Sequence, residues 1–171
     1  MHWGPIFWIP RGARLKFATG LIIAAGRRCG MPHDEAMMQD NILLGQVLAA
    51  FNAGAATWDA DRMAQVYWDD AVFYGLLTNH SVGQRSVRDY FAYYKDILKG
   101  ARLVLVEQEI RPLGADAFLA QGFGDFTYDM ADGSVSRNRL RTSLVVARRD
   151  GEWKIVLHHF SPIPPTPTYG H

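Results

Sequence analysis

The sequence predicts an α+β fold: cone-shaped, with three N-terminal helices packed against a strongly curled, mostly antiparallel sheet. Three observations predict it. Apolar residues recur at helical spacing as far as Gly100 and at strand spacing beyond it. Only short links join the strand-like stretches, which makes neighbours antiparallel. Gly122 and Gly124 fall inside one such stretch, where glycine marks a bend or bulge.

The elements follow in chain order. Leu44, Val47, Leu48 and Phe51 stand at i, i+3, i+4 and i+7, one face of a first helix. Asn52 to Gly54 should end it, with Gly54 as a left-handed cap. Thr57 or Asp59 can cap a short second helix that turns Met63, Val66 and Tyr67 inward. Asp69 and Asp70 stop it, and Ala71 to Tyr74 reads as a strand. A third helix after Gly83 carries the stripe Val87, Tyr90, Phe91, Tyr94 and Leu98 and should close at Gly100. Strands are then expected over Arg102–Arg111, Ala117–Tyr128, Val135–Arg148 and Trp153–Phe160. The proline-rich run from Ser161 cannot extend a strand.

This places one pocket domain over residues 34–165, with a tail at 166–171. Residues 1–33 read as an N-terminal extension, unordered or signal-like. Arg11, Arg14 and Lys16 precede an apolar run from Phe17 to Ala25, but Gly20 interrupts the run and Arg27 and Arg28 follow it. The single cysteine, Cys29, rules out an internal disulfide and fits a cytoplasmic location. A formal net charge of +1 gives no field directed at nucleic acid or membrane. No metal or nucleotide cofactor is expected. Histidine pairs at ligand spacing and a glycine-rich phosphate loop are both missing from the sequence.

The order helix, helix, strand, helix, four strands resembles the nuclear transport factor 2-like superfamily. Phe51 to Gly54 and Tyr67 to Phe73 resemble that group's first-helix exit and first strand. Gly83 to Phe91 resembles its third helix; Arg141 to Val145, Arg149 to Ile155 and His158 to Pro162 resemble its last hairpin. The resemblance leans towards the polyketide-cyclase-like members and the association domain of calcium/calmodulin-dependent kinase II. It covers about residues 40–165. It implies a homodimer with a pocket for a small apolar or carbonyl-containing molecule, either for isomerase, cyclase or dehydratase chemistry on an enolisable carbonyl compound by histidine acid/base action, or for non-catalytic ligand sensing or oligomerisation. The superfamily hosts isomerases, dehydratases, cyclases, binders and assembly modules, so it does not fix the activity. Its ketosteroid isomerases need a tyrosine, a carboxylate base and a protonated aspartate. The matching positions here are Val47, Gly75 and Arg141 or Thr142, which cannot supply them.

Candidate site residues centre on His158 and His159. Adjacent strand residues point to opposite faces, so only one of them looks inward. If Asp150 and Gly151 form a two-residue type I′ turn, Val146 pairs with Ile155, Leu144 with Leu157 and Thr142 with His159. A glycine bulge in the turn moves the register by one, so that Thr142 meets His158 and Arg141 meets His159. The cleaner apolar pattern favours the first register, with His159 inward as a proton-transfer group. Arg141 or Tyr74 would orient an oxygen, and Asp125 would serve as a base or partner the histidine. Tyr67, Trp68, Tyr94, Phe123 and Leu144 would wall the pocket, with His80 at its rim. Each has a plainer alternative: a hydrogen-bonded strand-end histidine, a solvated arginine stripe, a salt-bridged carboxylate, core aromatics. Val145, Val156 and Phe160 are the expected contact face between subunits.

Overall fold

The computed structural model describes residues 32–165. The expectations for the N-terminal extension, for Cys29 and for the tail at 166–171 lie outside the described residues. Helix α1 spans His33–Ala55, α2 Ala60–Ala64 and α3 Gln84–Tyr93. The strands are β1 Tyr67–Tyr74, β2 Ser81–Val82, β3 Leu98–Pro112, β4 Ala117–Met130, β5 Val135–Arg149 and β6 Glu152–Pro162. They form one sheet in the order β2-β1-β6-β5-β4-β3. Every pairing is antiparallel except β1 with β6, which is parallel. The sheet is open, with β2 and β3 as edges; the strong curl expected of it is reduced to local register shifts.

The buried stripe of α1 is Leu43, Leu44, Val47, Phe51 and Ala55, as helical spacing requires. Asn52 fixes that helix to the sheet. Its side-chain amide donates to the Leu103 carbonyl at 2.8 Å and accepts from the Leu103 N–H at 2.8 Å. This satisfies a stretch of strand backbone facing the helix. Gly54 is not a cap: α1 runs on to Ala55, and Gly54 is where Met63 of α2 comes close, 2.8 Å from where a Cβ would stand. Asp59 does cap α2, accepting from the Arg62 N–H at 3.0 Å.

Several boundaries differ from expectation. Strand β1 starts at Tyr67 rather than Ala71, because the N–H of Ile155 takes the Val66 carbonyl at 2.9 Å and pairs the segment early. Helix α3 ends at Tyr93, and Gly100 lies inside β3. There a Cβ would overlap the Ala56 carbonyl oxygen, so the glycine admits the end of α1 rather than closing α3. Short strand β2 had no counterpart in the sequence reading. Strand β6 also runs past Phe160, against the expectation for the proline-rich run: Ser161 pairs with Arg141 and Pro162 with Leu140 before the later prolines end it.

The glycines of β4 mark an irregularity that sits on the neighbouring strand. Strand β4 pairs with β5 without a break. The register shifts in β3 instead, between Val106 and Glu109, where Glu107 takes φ 53°. Glu107 and Gln108 fold over Gly122, and the Gln108 amide donates to the carbonyls of Val106 at 3.0 Å and Phe123 at 2.9 Å.

The hairpin from β5 to β6 decides the site. Arg149 pairs with Glu152, and Asp150 and Gly151 have φ of 50° and 86°, the positive values a type I′ turn requires. Val146 pairs with Ile155, as that turn predicts. Val156 then has no partner: Val145 pairs with Leu157, Leu144 with His158, Ser143 with His159 and Thr142 with Phe160. The extra residue flips every later side chain of β6 to the other face. His158 and Phe160 therefore face the helices, and His159 faces away. Neither register drawn from the turn alone places these pairs.

Candidate functional site

Between α3, the start of β3 and the ends of β4 and β5 lies a recess of about 190 Å³. Trp58, Tyr90, Tyr94 and Tyr128 form its walls, with Ile97 and Asn138 towards the rim. Its inner end, a further cavity of about 30 Å³, shares Trp58, Leu76, Tyr90 and Tyr128 with it and closes on Phe51, Leu103, Phe126, Leu140 and Phe160.

Packing holds these walls in place. The Trp58 indole N–H donates to the Phe91 carbonyl at 2.9 Å, which leaves its ring as an apolar surface. Tyr90 and Tyr94, four residues apart, stand edge to face at 5.5 Å. Phe126 and Tyr128, two apart on the inner face of β4, stack at 5.5 Å. The Tyr90 hydroxyl accepts the Leu76 N–H at 2.9 Å. Gly75 makes room for it, since a Cβ there would overlap the Tyr90 ring. Burial first, and then the neighbouring Tyr94 hydroxyl, pushes the phenols of Tyr90 and Tyr128 well above the usual range. Both remain neutral and able to donate at any ordinary pH.

Behind the recess lies a buried pair. The Tyr67 hydroxyl meets His158 Nδ1 at 2.9 Å, and both side chains are fully enclosed, at 0% and 1% exposure. Burial, and secondarily the charge of His159, lowers the His158 pKa to about 3, so its ring is neutral. Burial, with Tyr90 adding to it, raises the Tyr67 phenol far above its ordinary value. His158 Nε2 has no hydrogen-bond partner, nor has Thr142 Oγ1 on the same face. Leaving such a group unpaired costs roughly 1–3 kcal/mol. A small cavity of about 10 Å³ touches His158 between α1 and the sheet; Phe51 and Leu103 line both it and the inner end of the recess.

The residues proposed from sequence divide between the two faces of the sheet. Tyr67, Thr142, Leu144 and His158 are on the inner face and buried, and Tyr94 lines the recess. The others are elsewhere. His159 is exposed on the outer face opposite Ser143, a correction that follows from the unpaired Val156. Arg141 is outside too, donating to Ser161 Oγ at 3.1 Å. Asp125 is held by Arg139 through bonds of 2.6 and 2.8 Å. That guanidinium keeps its carboxyl below the usual range, the reverse of what a base needs. Phe123 pairs with Arg141 on the outer face. Tyr74 is 44% exposed and stacks at 4.3 Å on His80, away from the recess. Trp68 donates to the Ala147 carbonyl at 2.9 Å beneath Arg149 and Lys154. Phe160, expected on a subunit contact face, is core.

Arg141, Phe123 and His159 do share an open depression of about 550 Å³, together with Glu107, Glu109 and Ser161. It is polar and on the far side of the sheet from the aromatic recess. Among the described residues no group of three histidine, cysteine or carboxylate side chains is placed to hold a metal.

Trp58, Leu76, Tyr90, Tyr128 and Asn138 were missed as site residues. The available signals were Tyr90 and Tyr94 one helical turn apart, and Phe126 and Tyr128 alternating on one strand face. The sequence reading puts Tyr94 in the wall, but it gives Tyr90 only to the helix stripe and Phe126 and Tyr128 only to a strand.

A family model for the SnoaL-like domain matches residues 44–166. The chain belongs to the SnoaL-like family. Solved structures agree on the fold. A nuclear transport factor 2-like superfamily protein from Salmonella enterica is 18% identical, covers 80% of this chain and 99% of its own, and superposes with a TM-score of 0.64. A protein named for a calcium/calmodulin-dependent protein kinase II association domain, from Xanthomonas campestris, is 23% identical over 82% of this SnoaL-like chain and 94% of its own, with a TM-score of 0.62. A hexachlorocyclohexane dehydrochlorinase from Novosphingobium barchaimii is 16% identical over 77% and 99%, with a TM-score of 0.60. At these identities the likeness shows the fold alone. No curated protein matches the chain. Among the described residues no helix is long and apolar enough to cross a membrane.

Proposed function

We propose that this SnoaL-like protein binds a small, planar, mostly apolar molecule in the aromatic recess. The observation that carries this reading is the recess itself. Trp58, Tyr90, Tyr94 and Tyr128 supply flat apolar walls, and the tyrosine hydroxyls, Ser136 and Asn138 are the few polar side chains among them. Neutral phenols in an apolar setting favour an uncharged oxygen, above all a carbonyl or its enol. The substrate class is thus an enolisable carbonyl compound, as the family resemblance implies. Fold relatives named for a dehydratase and a dehydrochlorinase are compatible with chemistry at such a site. The histidine on this face of the sheet is His158 rather than His159, and it stands behind Phe160 rather than in the recess wall.

Trp58 is a built-in probe. Titration of the full chain with hydroxylated and keto-bearing bicyclic aromatics should quench its fluorescence saturably. The variant Leu76→Trp, which fills the recess, should abolish that response. Quenching that survives Leu76→Trp, or no saturable response across the panel, would rule out the recess as the binding site.

A homodimer would use the outer face of the sheet, where Val104 is 42% and Leu157 38% exposed. Light scattering would give the mass. A monomer at high micromolar concentration would remove this assignment without touching the recess.

A further inference from the structure

Thr142 and His158 lie on adjacent strands and on the same inner face. Thr142 pairs with Phe160, and His158 with Leu144, so the two are diagonal neighbours. Such positions stand about 7–8 Å apart along the backbone, within reach of one bridging atom between their side chains. Both residues are 1% exposed, and Oγ1 of one and Nε2 of the other have no partner. Opposite Thr142 on β4 is Gly122, which offers no side chain as a partner; the space beside it is taken by the Glu107 carbonyl and the Gln108 amide. Native interiors rarely leave two such neighbours unpaired.

The geometry points to an interior oxygen site between Thr142 and His158, which takes the hydroxyl or carbonyl oxygen of an uncharged ligand whose apolar body fills the recess. This rests on the recess being the binding site. Phe160 is the partition: its ring contacts that of His158 at 3.9 Å between centroids, and it also lines the inner end of the recess. A ligand seated there is one side chain from the His158 ring, and rotation of Phe160 would open the way to it.

The chemistry selects the ligand. The 2.9 Å contact between Tyr67 and Nδ1 uses one proton, from either the phenol or the ring. Nε2 is then a donor in one case and an acceptor in the other. The Thr142 hydroxyl can both donate and accept. A ligand hydroxyl fits either arrangement, and a carbonyl fits the donor form. A carboxylate fits neither, because no cation lines the recess, its inner end or the cavity at His158.

Naphthalene, 2-naphthol and 2-naphthoate test this by calorimetry on the full chain. Wild type should bind 2-naphthol about tenfold more tightly than naphthalene and should discriminate against 2-naphthoate. Thr142→Val, which keeps the shape, should remove most of the naphthol preference and leave naphthalene affinity unchanged. In wild type, the His158 Nε2 resonance should move with 2-naphthol and stay put with naphthalene, a readout that needs no variant. If the preference survives Thr142→Val, the resonance is unmoved and Tyr128→Phe removes the preference instead, the oxygen sits at the mouth. The interior site is then overturned and the recess stands. If neither naphthalene nor 2-naphthol binds, the recess reading falls and takes the interior site with it.

Discussion

The two faces of the sheet formed by β4, β5 and β6 use polar residues in opposite ways. On the inner face Thr142 and His158 are enclosed among Leu144, Phe160 and the α1 stripe, and their polar atoms are few and under-used. On the outer face Asp125, Arg139, Arg141 and His159 lie in or near solvent, and the first three find partners among themselves or on Ser161. Charge density marks the outer face and scarcity marks the inner one. A site search guided by charged side chains lands on the wrong side. Isolated neutral groups in an apolar wall bind more selectively, because each unmet hydrogen bond is expensive there and nearly free in water.

Adjacent histidines give the sharpest contrast. His158→Glu should destabilise the protein by roughly 3–5 kcal/mol, because an unpaired charge is buried. His159→Glu should change stability by no more than about 0.5 kcal/mol. Urea unfolding of the two variants measures both, and similar costs would contradict the assigned faces. Next in size, Leu144→Ala should cost about 2–5 kcal/mol as a core truncation, well above Val145→Ala one residue along.

The pH dependence separates the same pair. His158 titrates near its ordinary 6.5 in the unfolded chain and at about 3 in the fold. Between those values the unfolded chain holds the extra proton. The contribution is complete above about pH 6.5 and is lost as pH falls towards 3, by up to about 1.4 kcal/mol per unit. His158→Phe should flatten that slope in unfolding measured from pH 7 to 5; a slope that persists would contradict the burial of this member of the pair.

Smaller effects are expected at the recess and on the outer face. Gly75→Ala must displace the Tyr90 ring; it should weaken ligand quenching of Trp58 and cost about 1–3 kcal/mol. Asp125→Asn breaks an exposed ion pair and should leave the melting temperature near that of wild type, as should high salt. A large drop would mean that the outer face carries structural weight after all.

Much of the fold was legible because periodicity reports burial directly. The α1 stripe, the Asp59 cap and the four long strands follow from apolar spacing and from turn residues whose backbone geometry is special. The site was less legible for a local reason. Asp150 and Gly151 identify the turn, and the turn does set the first pairs of β6. Nothing in Ile155, Val156 and Leu157 announces that one of them drops out of the ladder, since all three suit a strand equally well. The shift coincides with one in the pairing with β1, whose register slips between Tyr67 and Val72 against the same residues. That is a contact between segments far apart in the chain. Tyr90 and Tyr128 were hidden differently: a tyrosine at core spacing looks the same whether its ring meets another side chain or an open recess.

The unpaired Val156 also bears on how this chain should be compared with its relatives. A relative of the same length whose residue at that point does pair in the ladder would present its second histidine to the interior and its first to solvent, with no substitution at either position. Homologous sequences matched without a gap at Val156 will therefore equate residues that occupy opposite sides of the sheet. Deleting Val156 would not exchange the two histidines: Leu157 would follow Ile155 in an unbroken ladder and still meet Val145, so His158 stays inside and His159 outside. The chain sets which histidine it buries by carrying one residue more than the ladder uses.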